Sequence, residues 1–405
     1  MTRGLMKTAS SIAVAAAAGL FATSAMAADL GGNCCADLEE RVAELEATAA
    51  RKGNRVVSLT VYGAVNQAIV WHDDEFGYRE GKATVRDNGA YMSRFGFKGE
   101  AQIRPDLTAG YVIEIGLSNN DFGTGSAADS FTIRHNYLYL NSQTFGRVNL
   151  GQTSQVTDGL YEINLATPYV TVGGMDEAEF SLHSHFTDIF VNGFDGGRKQ
   201  GVYYTTPSLA GFLLSVGYSH DTGELDEGIF PHLIGGDNVH DADDYWEVAL
   251  RYAGEFNGVR VAAGVGYRAK EDNPTVGAAV DEETILGSGS IMHVPTGLFL
   301  SGGYATTDSD DDLDDKDGFW VMAGVEKNYF GYGNTTLFAE YSEVNFDTAP
   351  VDDKGRYWGA GIVQNIDAAA MALYLNWRNY EVEDAGVIDA DEDANVVHAG
   401  AIIKF

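Results

Sequence analysis

The sequence is poor in the residues that bridge or stiffen small secreted folds, with only 2 Cys and 7 Pro among 405 residues. The two cysteines are neighbours, Cys34 and Cys35, and a disulfide between adjacent residues is strained. They therefore provide no intrachain disulfide framework, and a disulfide between two chains is the alternative that stays open. No Cys/His spacing typical of a metal site occurs, so neither a metal nor another cofactor is predicted.

Basic residues and long apolar runs are also scarce. The 26 Lys and Arg against 59 Asp and Glu give a formal net charge of −33, which would repel nucleic acid. The Asp-rich segment 308–317 fits a calcium loop poorly, because Leu313 and Phe319 stand where such a loop needs Gly and Glu. The segment therefore predicts a solvated acidic loop.

The N-terminus has the pattern of a secretory signal peptide over residues 1–27. Arg3 and Lys7 precede an Ala-rich apolar stretch, and the small residues before Ala28 form a cleavage site. No later apolar run is long enough for a transmembrane helix, and the mean hydropathy is −0.15. A secreted chain that spans a membrane without apolar helices must do so as a closed barrel.

Residues 28–56 form a linker with a short helical pattern. Leu38, Val42 and Leu45 have the spacing of a coiled-coil seam, which predicts a short helix that oligomerises the chain. Two heptads are too short to be stable alone. A lone amphipathic helix that lies on the barrel or on the membrane is the alternative interpretation.

Residues 57–405 alternate with a period of two. Tyr91, Phe95 and Phe97 share one face of a segment whose other face carries Arg94 and Lys98. About sixteen such segments follow one another, and short connections alternate with long ones, among them 153–198, 305–317 and 343–355. The pattern predicts an all-β, 16-stranded antiparallel transmembrane β-barrel with apolar side chains facing lipid and polar side chains facing water.

Several segments resemble the general diffusion porins of Gram-negative outer membranes. YMSRFGFKGEAQI is similar to their second strand, GRKQGVYYTTPSLAGFLLSVGY to their sixth and seventh strands, and FGRVNLGQ to the strand that enters their long third loop. The terminal AGAIIKF resembles the signal that the barrel assembly machinery reads, with Phe405 as its last residue. The helical linker resembles porins of alphaproteobacteria.

The resemblance implies a homotrimer in the bacterial outer membrane, in contact with lipid and lipopolysaccharide. Each protomer would be a non-enzymatic, water-filled channel for passive diffusion of small hydrophilic solutes and ions. The third loop, within 153–198, would fold inward and narrow the channel. A substrate-specific channel for sugars or organic acids is the alternative function.

Within this family, acidic residues of the third loop face basic residues of the opposite wall. The resemblance assigns the acidic side to Asp176, Glu177 and Glu179, and the basic side to Arg94, Arg134 and Arg198. Lys98 and Arg147 also have the parity of lumen-facing residues, although ordinary lumen polarity would explain all of these charges equally well. Ala64 stands where many porins carry a lysine. With the acidic composition, this difference predicts modest cation selectivity.

Overall fold

The structure is a computed structural model. It describes residues 56–74, 82–117, 131–170, 190, 194–221, 243–272, 279–310, 315–348, 351–383 and 392–405. The predicted signal peptide, the helical seam of Leu38, Val42 and Leu45, and the cysteines Cys34 and Cys35 lie outside these residues.

Seventeen β-strands account for most of the described chain. The first nine are β1 Thr60–Asp74, β2 Lys82–Asp87, β3 Arg94–Arg104, β4 Leu107–Leu117, β5 Phe131–Ser142, β6 Gly146–Ser154, β7 Arg198–Thr205, β8 Phe212–His220 and β9 Asp244–Phe256. The remaining eight are β10 Val259–Glu271, β11 Glu282–His293, β12 Leu298–Ser309, β13 Asp315–Lys327, β14 Thr335–Thr348, β15 Val351–Ile366, β16 Met371–Glu383 and β17 Glu392–Lys404. Short 3₁₀ turns occupy Gly89–Tyr91 and Asp367–Ala369.

The strands form one closed antiparallel barrel. β1 pairs with β17 through Ala64 and Lys404, and each later strand pairs with its successor. β2 and β3 together occupy one position in the barrel, because β2 pairs with the upper half of β1 and β3 with the lower half. Seventeen strands therefore fill sixteen positions, and the predicted 16-stranded all-β barrel is confirmed.

The barrel is apolar on the outside. Along β8, Phe212, Leu214 and Val216 are exposed, whereas Ser215 and Ser219, on the other face of the strand, are buried. A soluble barrel would turn its apolar face inward, and a barrel surrounded by lipid turns it outward. Within the residues that the structure describes, no helix is both long enough and apolar enough to cross a bilayer.

Aromatic side chains form two belts around the outer wall. Tyr218 and Trp246 have ring centroids 4.6 Å apart near the end that carries the long connections, and Phe212 and Tyr252 pair at 4.7 Å near the short turns. Trp246 and the exposed Phe256 lie ten residues apart on β9. That separation is about 33 Å along a strand and about 25 Å along the axis of a tilted barrel, the height of an outer-membrane apolar band.

Two connections are shorter than the sequence predicts. The predicted long loops at 305–317 and 343–355 are wrong, because β12 continues to Ser309, β13 begins at Asp315, and β14 and β15 extend to Thr348 and from Val351. The acidic residues there pair across strands, as Asp317 does with Thr306. Acidic side chains above the aromatic belt face water. Their charge keeps them out of the lipid, but it does not prevent their strands from pairing.

The last residue closes the barrel. The backbone of Phe405 exchanges two hydrogen bonds with Gly63, at 2.9 and 3.0 Å. Its ring lies over Gly63, where a Cβ would be 2.6 Å from the ring Cζ. A larger residue at position 63 would displace the terminal ring.

Candidate pore constriction

The connection between β6 and β7 begins inside the barrel. The Val156 N–H donates to Glu247 Oε2 at 3.1 Å, and Arg251 donates to the carbonyl oxygens of Val156 and Asp158, each at 2.8 Å. Glu247 and Arg251 lie on the inner face of β9. The first part of the loop, residues 155–170, is therefore attached to the wall by charged side chains that bind its backbone.

Side chains of β11 and β13 also bind the loop backbone. Ser288 on β11 accepts from the Ile163 N–H at 2.9 Å and donates to the Leu160 carbonyl at 2.6 Å. Trp320 Nε1 on β13 donates to the Tyr161 carbonyl at 2.7 Å. These bonds satisfy backbone groups that would otherwise lie unpaired in the barrel interior.

The far end of this loop segment reaches the opposite side of the barrel. Tyr169 stacks on Tyr374 of β16 with centroids 5.9 Å apart, and its carbonyl accepts from Asn88 Nδ2 at 3.3 Å. Among the described residues, the hydrogen bonds from residues 155–170 to the wall fall on β8–β13 and on the link between β2 and β3. The inner face of β3–β6 receives none of them, so the described loop residues leave this wall open to the lumen.

A β-bulge turns two consecutive basic side chains inward from β5. Glu114 pairs with His135 and Ile115 with Ile133, so Arg134 is the extra residue. Arg134 Nε lies 2.9 Å and His135 Nε2 3.9 Å from Glu114 Oε1. Bulges commonly re-aim a side chain in this way.

Arg94, Arg134 and Arg198 form one group, named here the arginine cluster. Arg94 Nη1 lies 3.6 Å from Glu114 Oε1, so Arg94 and Arg134 share one carboxylate. Arg198, the first residue of β7, interacts electrostatically with Arg134 and Glu114. The structure thus brings together the three arginines that the family resemblance assigned to the basic side.

Acidic residues of the loop face this cluster. Asp158 and Glu162 interact electrostatically with Arg198, and Glu162 is exposed to the lumen. Surrounding protein atoms and the charge of Asp158 raise the pKa of Glu162 to about 7. Asp195 accepts the Tyr161 N–H at 2.7 Å, and its burial and the nearby Glu162 raise its pKa well above the ordinary value.

The predicted acidic residues Asp176, Glu177 and Glu179 lie outside the described residues. Sequence reasoning missed Asp158, Glu162 and Asp195, although they belong to the same predicted loop. A loop has no periodicity that would separate side chains facing the lumen from side chains facing the wall. Glu114 was detectable, since its position on β4 has the parity of a lumen-facing residue.

Lys98 and Arg147 lie on the same wall but nearer the end with the short turns. Lys98 is paired with Thr60, the first residue of β1, and Arg147 is the second residue of β6. Ala64 is buried between its strand partners Arg94 and Lys404. A lysine there would add a third cation at this height of the wall.

A second ion pair, missed from the sequence, lies on the wall opposite the cluster. Arg378 binds Glu340 through two bonds of 2.9 and 3.1 Å across Gly359 of the intervening strand. Their side chains are only 2% and 3% exposed. The pair is bidentate, the strong geometry for an arginine and a carboxylate. In the part of the chain that the structure describes, no group of three or more His, Cys, Asp or Glu is arranged to hold a metal ion.

A closed barrel with an apolar outer wall, aromatic belts and a charged loop inside its lumen is an outer-membrane channel. Residues 13–385 match the sequence profile of the family described as Gram-negative porin. The chain therefore belongs to that family, and its location is the bacterial outer membrane.

Similar proteins agree with this assignment. An outer membrane porin protein of Bordetella pertussis is 25% identical over 184 residues, which are 42% of this chain and 44% of the relative, so less than half of that relative is matched. The anion-selective porin from Comamonas acidovorans has a TM-score of 0.59 at 19% identity, over 86% of this chain and 100% of the other. The trimer form of OmpT from Vibrio cholerae has a TM-score of 0.56 at 13% identity, over 86% and 100%. At these identities, the two structures support the fold.

Proposed function

We propose that the protein forms a water-filled channel for passive diffusion of small hydrophilic solutes and ions. The observation that carries the proposal is the arginine cluster on the wall of β3–β7, which faces the loop residues Asp158 and Glu162. Opposed charges across a narrow aqueous passage create a transverse field. Hydrated polar solutes align with such a field, whereas bulky apolar molecules lose favourable interactions with water.

The basic side of this field is rigid. Glu114 binds both Arg94 and Arg134 and accepts from the Tyr62 hydroxyl at 3.0 Å. Since the carboxylate already holds the guanidinium groups in position, a passing solute meets fixed charges. This arrangement favours rapid passage over tight binding, because little reorganisation accompanies each transit.

Planar-bilayer conductance tests the proposal. A general pore gives large ohmic current steps in simple salts, whereas a substrate-specific channel gives small steps that one class of solute blocks. Absence of any conductance from correctly folded protein would contradict both functions. The alternative, a channel for sugars or organic acids, draws support from the tyrosines on the open wall.

The partners of the channel follow from the same architecture. The exposed apolar wall is suited to contact with lipid and lipopolysaccharide and, as in the trimer form of OmpT, with neighbouring protomers. Leu38, Val42 and Leu45 would add a seam on the periplasmic side. Cleavage after residue 27 and recognition of Phe405 by the barrel assembly machinery complete the proposed route to the membrane.

A further inference from the structure

Two tyrosines lie flat against the open wall. The ring of Tyr62 lies over Gly96 of β3, where a Cβ would be 2.8 Å from the ring Cζ, and its hydroxyl donates to Glu114 at 3.0 Å. Tyr139 repeats this arrangement over Gly110, and its hydroxyl donates to Glu100 at 3.4 Å. Each ring lies over a glycine, which has no side chain to displace it, and its hydroxyl binds a carboxylate two strands away. These two contacts fix the ring.

Each ring carries a cation. Lys98 Nζ lies 5.1 Å from the centroid of Tyr62, and Arg147 Cζ lies 3.8 Å from that of Tyr139. Arg147 also donates to the Tyr137 hydroxyl at 3.4 Å. These five residues, Tyr62, Lys98, Tyr137, Tyr139 and Arg147, are named here the tyrosine–cation wall.

The two cations keep a positive charge that an anion can bind, although Arg147 Nε also donates to Asn149 Oδ1 at 2.7 Å. Neither Lys98 nor Arg147 forms an ion pair with any residue that the structure describes. The nearby Glu100 and Glu114 are already bound by the tyrosine hydroxyls, and Glu114 also by arginines. All five side chains of the wall are half-buried, so each retains a surface that faces the lumen.

The wall lies beside the solute path but outside the constriction. Arg147 lies at the short-turn end of β6, and Lys98 in the middle of β3 pairs with Thr60, the first residue of β1. The described loop residues attach to other strands and leave this wall open. A solute that passes the arginine cluster therefore meets the tyrosine–cation wall next.

We propose that the tyrosine–cation wall is a weak binding site for small aromatic carboxylates. The carboxylate binds Lys98 or Arg147, and the ring of the solute contacts a neighbouring tyrosine edge-to-face or offset-stacked. Neutral sugars lack the charge for these cations, and organic cations are repelled by them. This inference rests on the proposed diffusion channel and names a class of solute that the channel favours. Binding is weak because the site is wet and solutes must leave it.

Current fluctuations in planar bilayers test the proposal with matched probes. Benzoate and cyclohexanecarboxylate have the same charge and nearly the same size, but only benzoate is aromatic. We expect benzoate added on the periplasmic side to interrupt the current with an affinity about three- to tenfold higher than that of cyclohexanecarboxylate. Benzamide, which has the ring without the charge, should have no effect.

Two variants assign the effect to the wall. Tyr139→Leu should abolish the preference for benzoate over cyclohexanecarboxylate, while Arg147→Gln should weaken both. Tyr304→Leu, which changes an exposed tyrosine of the outer wall, is the matched control and should change neither. Should Tyr139→Leu fail to fold, Tyr139→Phe retains the ring and should retain the preference.

The outcomes separate this inference from the function on which it rests. A channel that conducts salt but binds benzoate no better than cyclohexanecarboxylate overturns the aromatic site and leaves the diffusion channel intact. A preference for benzoate that survives Tyr139→Leu, or an affinity for both probes that Arg147→Gln leaves unchanged, also overturns it. A folded protein without conductance would contradict the diffusion channel itself.

Discussion

At the scale of single residues, the charge balance of the constriction depends on which acidic residues reach the lumen. The arginine cluster carries three positive charges, of which Glu114 neutralises one. Asp158 opposes one of the two remaining charges, and Glu162 opposes the other in part, since its pKa is about 7. The described residues alone therefore leave a small positive excess, and cation selectivity requires additional acids.

The predicted cation selectivity therefore depends on Asp176, Glu177 and Glu179. Changing all three to Asn or Gln should turn the reversal potential toward anions. The cation-to-anion permeability ratio should fall by about two- to fivefold for each charge that faces the lumen. The measurement is the reversal potential across a bilayer with a salt gradient at low ionic strength, where screening is weakest.

A matched control removes three acids outside the lumen. Asp244, Glu271 and Glu283 have the parity of outward-facing residues on β9–β11, and their neutralisation should leave the ratio nearly unchanged. If the wild-type channel already prefers anions, the acidic side of the constriction consists of other residues. The same conclusion follows if the change of Asp176, Glu177 and Glu179 leaves the reversal potential unchanged.

Glu162 makes the selectivity dependent on pH close to neutrality. Its raised pKa means that the side chain is a carboxylate at pH 8 and largely protonated at pH 6. Lowering the pH across this range removes a negative charge opposite the arginine cluster. We expect the reversal potential to shift toward anions with a midpoint near pH 7.

Glu162→Gln should remove this titration and hold the channel at its low-pH selectivity. Glu255→Gln changes a glutamate at a short turn, where it pairs with Arg260, and serves as the control. A midpoint near pH 4 in the wild type would mean that Glu162 titrates as an ordinary surface carboxylate.

At the scale of elements, β14, β15 and β16 are joined by the ion pair between Glu340 and Arg378. The pair is buried, and Gly359 between them leaves room for their side chains: a Cβ there would lie 2.5 Å from Glu340 Oε1. Removing Glu340 takes from Arg378 the carboxylate that binds it in this buried pair, a loss that costs about 3–5 kcal/mol. Replacing both by apolar residues avoids that cost.

We therefore expect Glu340→Met to lower the free energy of unfolding by about 3–5 kcal/mol, and the double change Glu340→Met with Arg378→Met to lower it less. Urea unfolding of the detergent-refolded barrel measures both. The exposed pair of Arg260 and Glu255 is the control, since its removal should cost at most about 1 kcal/mol. A double variant less stable than the single one would mean that the pair stabilises the barrel beyond satisfying its own charges.

The alternation of apolar and polar residues predicts most strands, because lipid contacts one face of the wall and water contacts the other. Phe95 and Phe97 face outward and Arg94 and Lys98 inward as the period of two requires. The bulge at Arg134 breaks that period, so parity alone could not predict that Arg134 and His135 both face Glu114. Acidic composition predicts loops at strand ends such as Asp315, but a residue above the membrane can be acidic and still be paired.

At the scale of the whole molecule, the length of the third loop was predictable but its side-chain arrangement was not. Its backbone is held by Ser288, Glu247 and Trp320, which are far away in sequence and have no common pattern. Contacts of this kind depend on the closed barrel. The sequence therefore predicts the wall in detail and the loop only by its position between β6 and β7.

We predict that three protomers assemble through their apolar outer walls. Native mass spectrometry in mild detergent should detect the trimer, and deletion of residues 36–50 should lower its stability toward heat and detergent without dissolving it, because the walls supply most of the buried area. A deletion of equal length within residues 222–242, between β8 and β9, serves as the control. Monomers alone in the full-length protein would contradict the proposed assembly.

Because β1 pairs with β17, the chain is prone to aggregation until the barrel has closed. Ala64 meets Lys404, and Gly63 meets Phe405, so the two edges of the sheet remain unpaired until β17 has been made and reaches β1. Unpaired edges beside an apolar face readily pair with other chains. Contacts between residues so distant along the chain also form slowly. We therefore expect loss of Phe405 to increase aggregation of the unclosed chain before it affects the conductance of any finished channel.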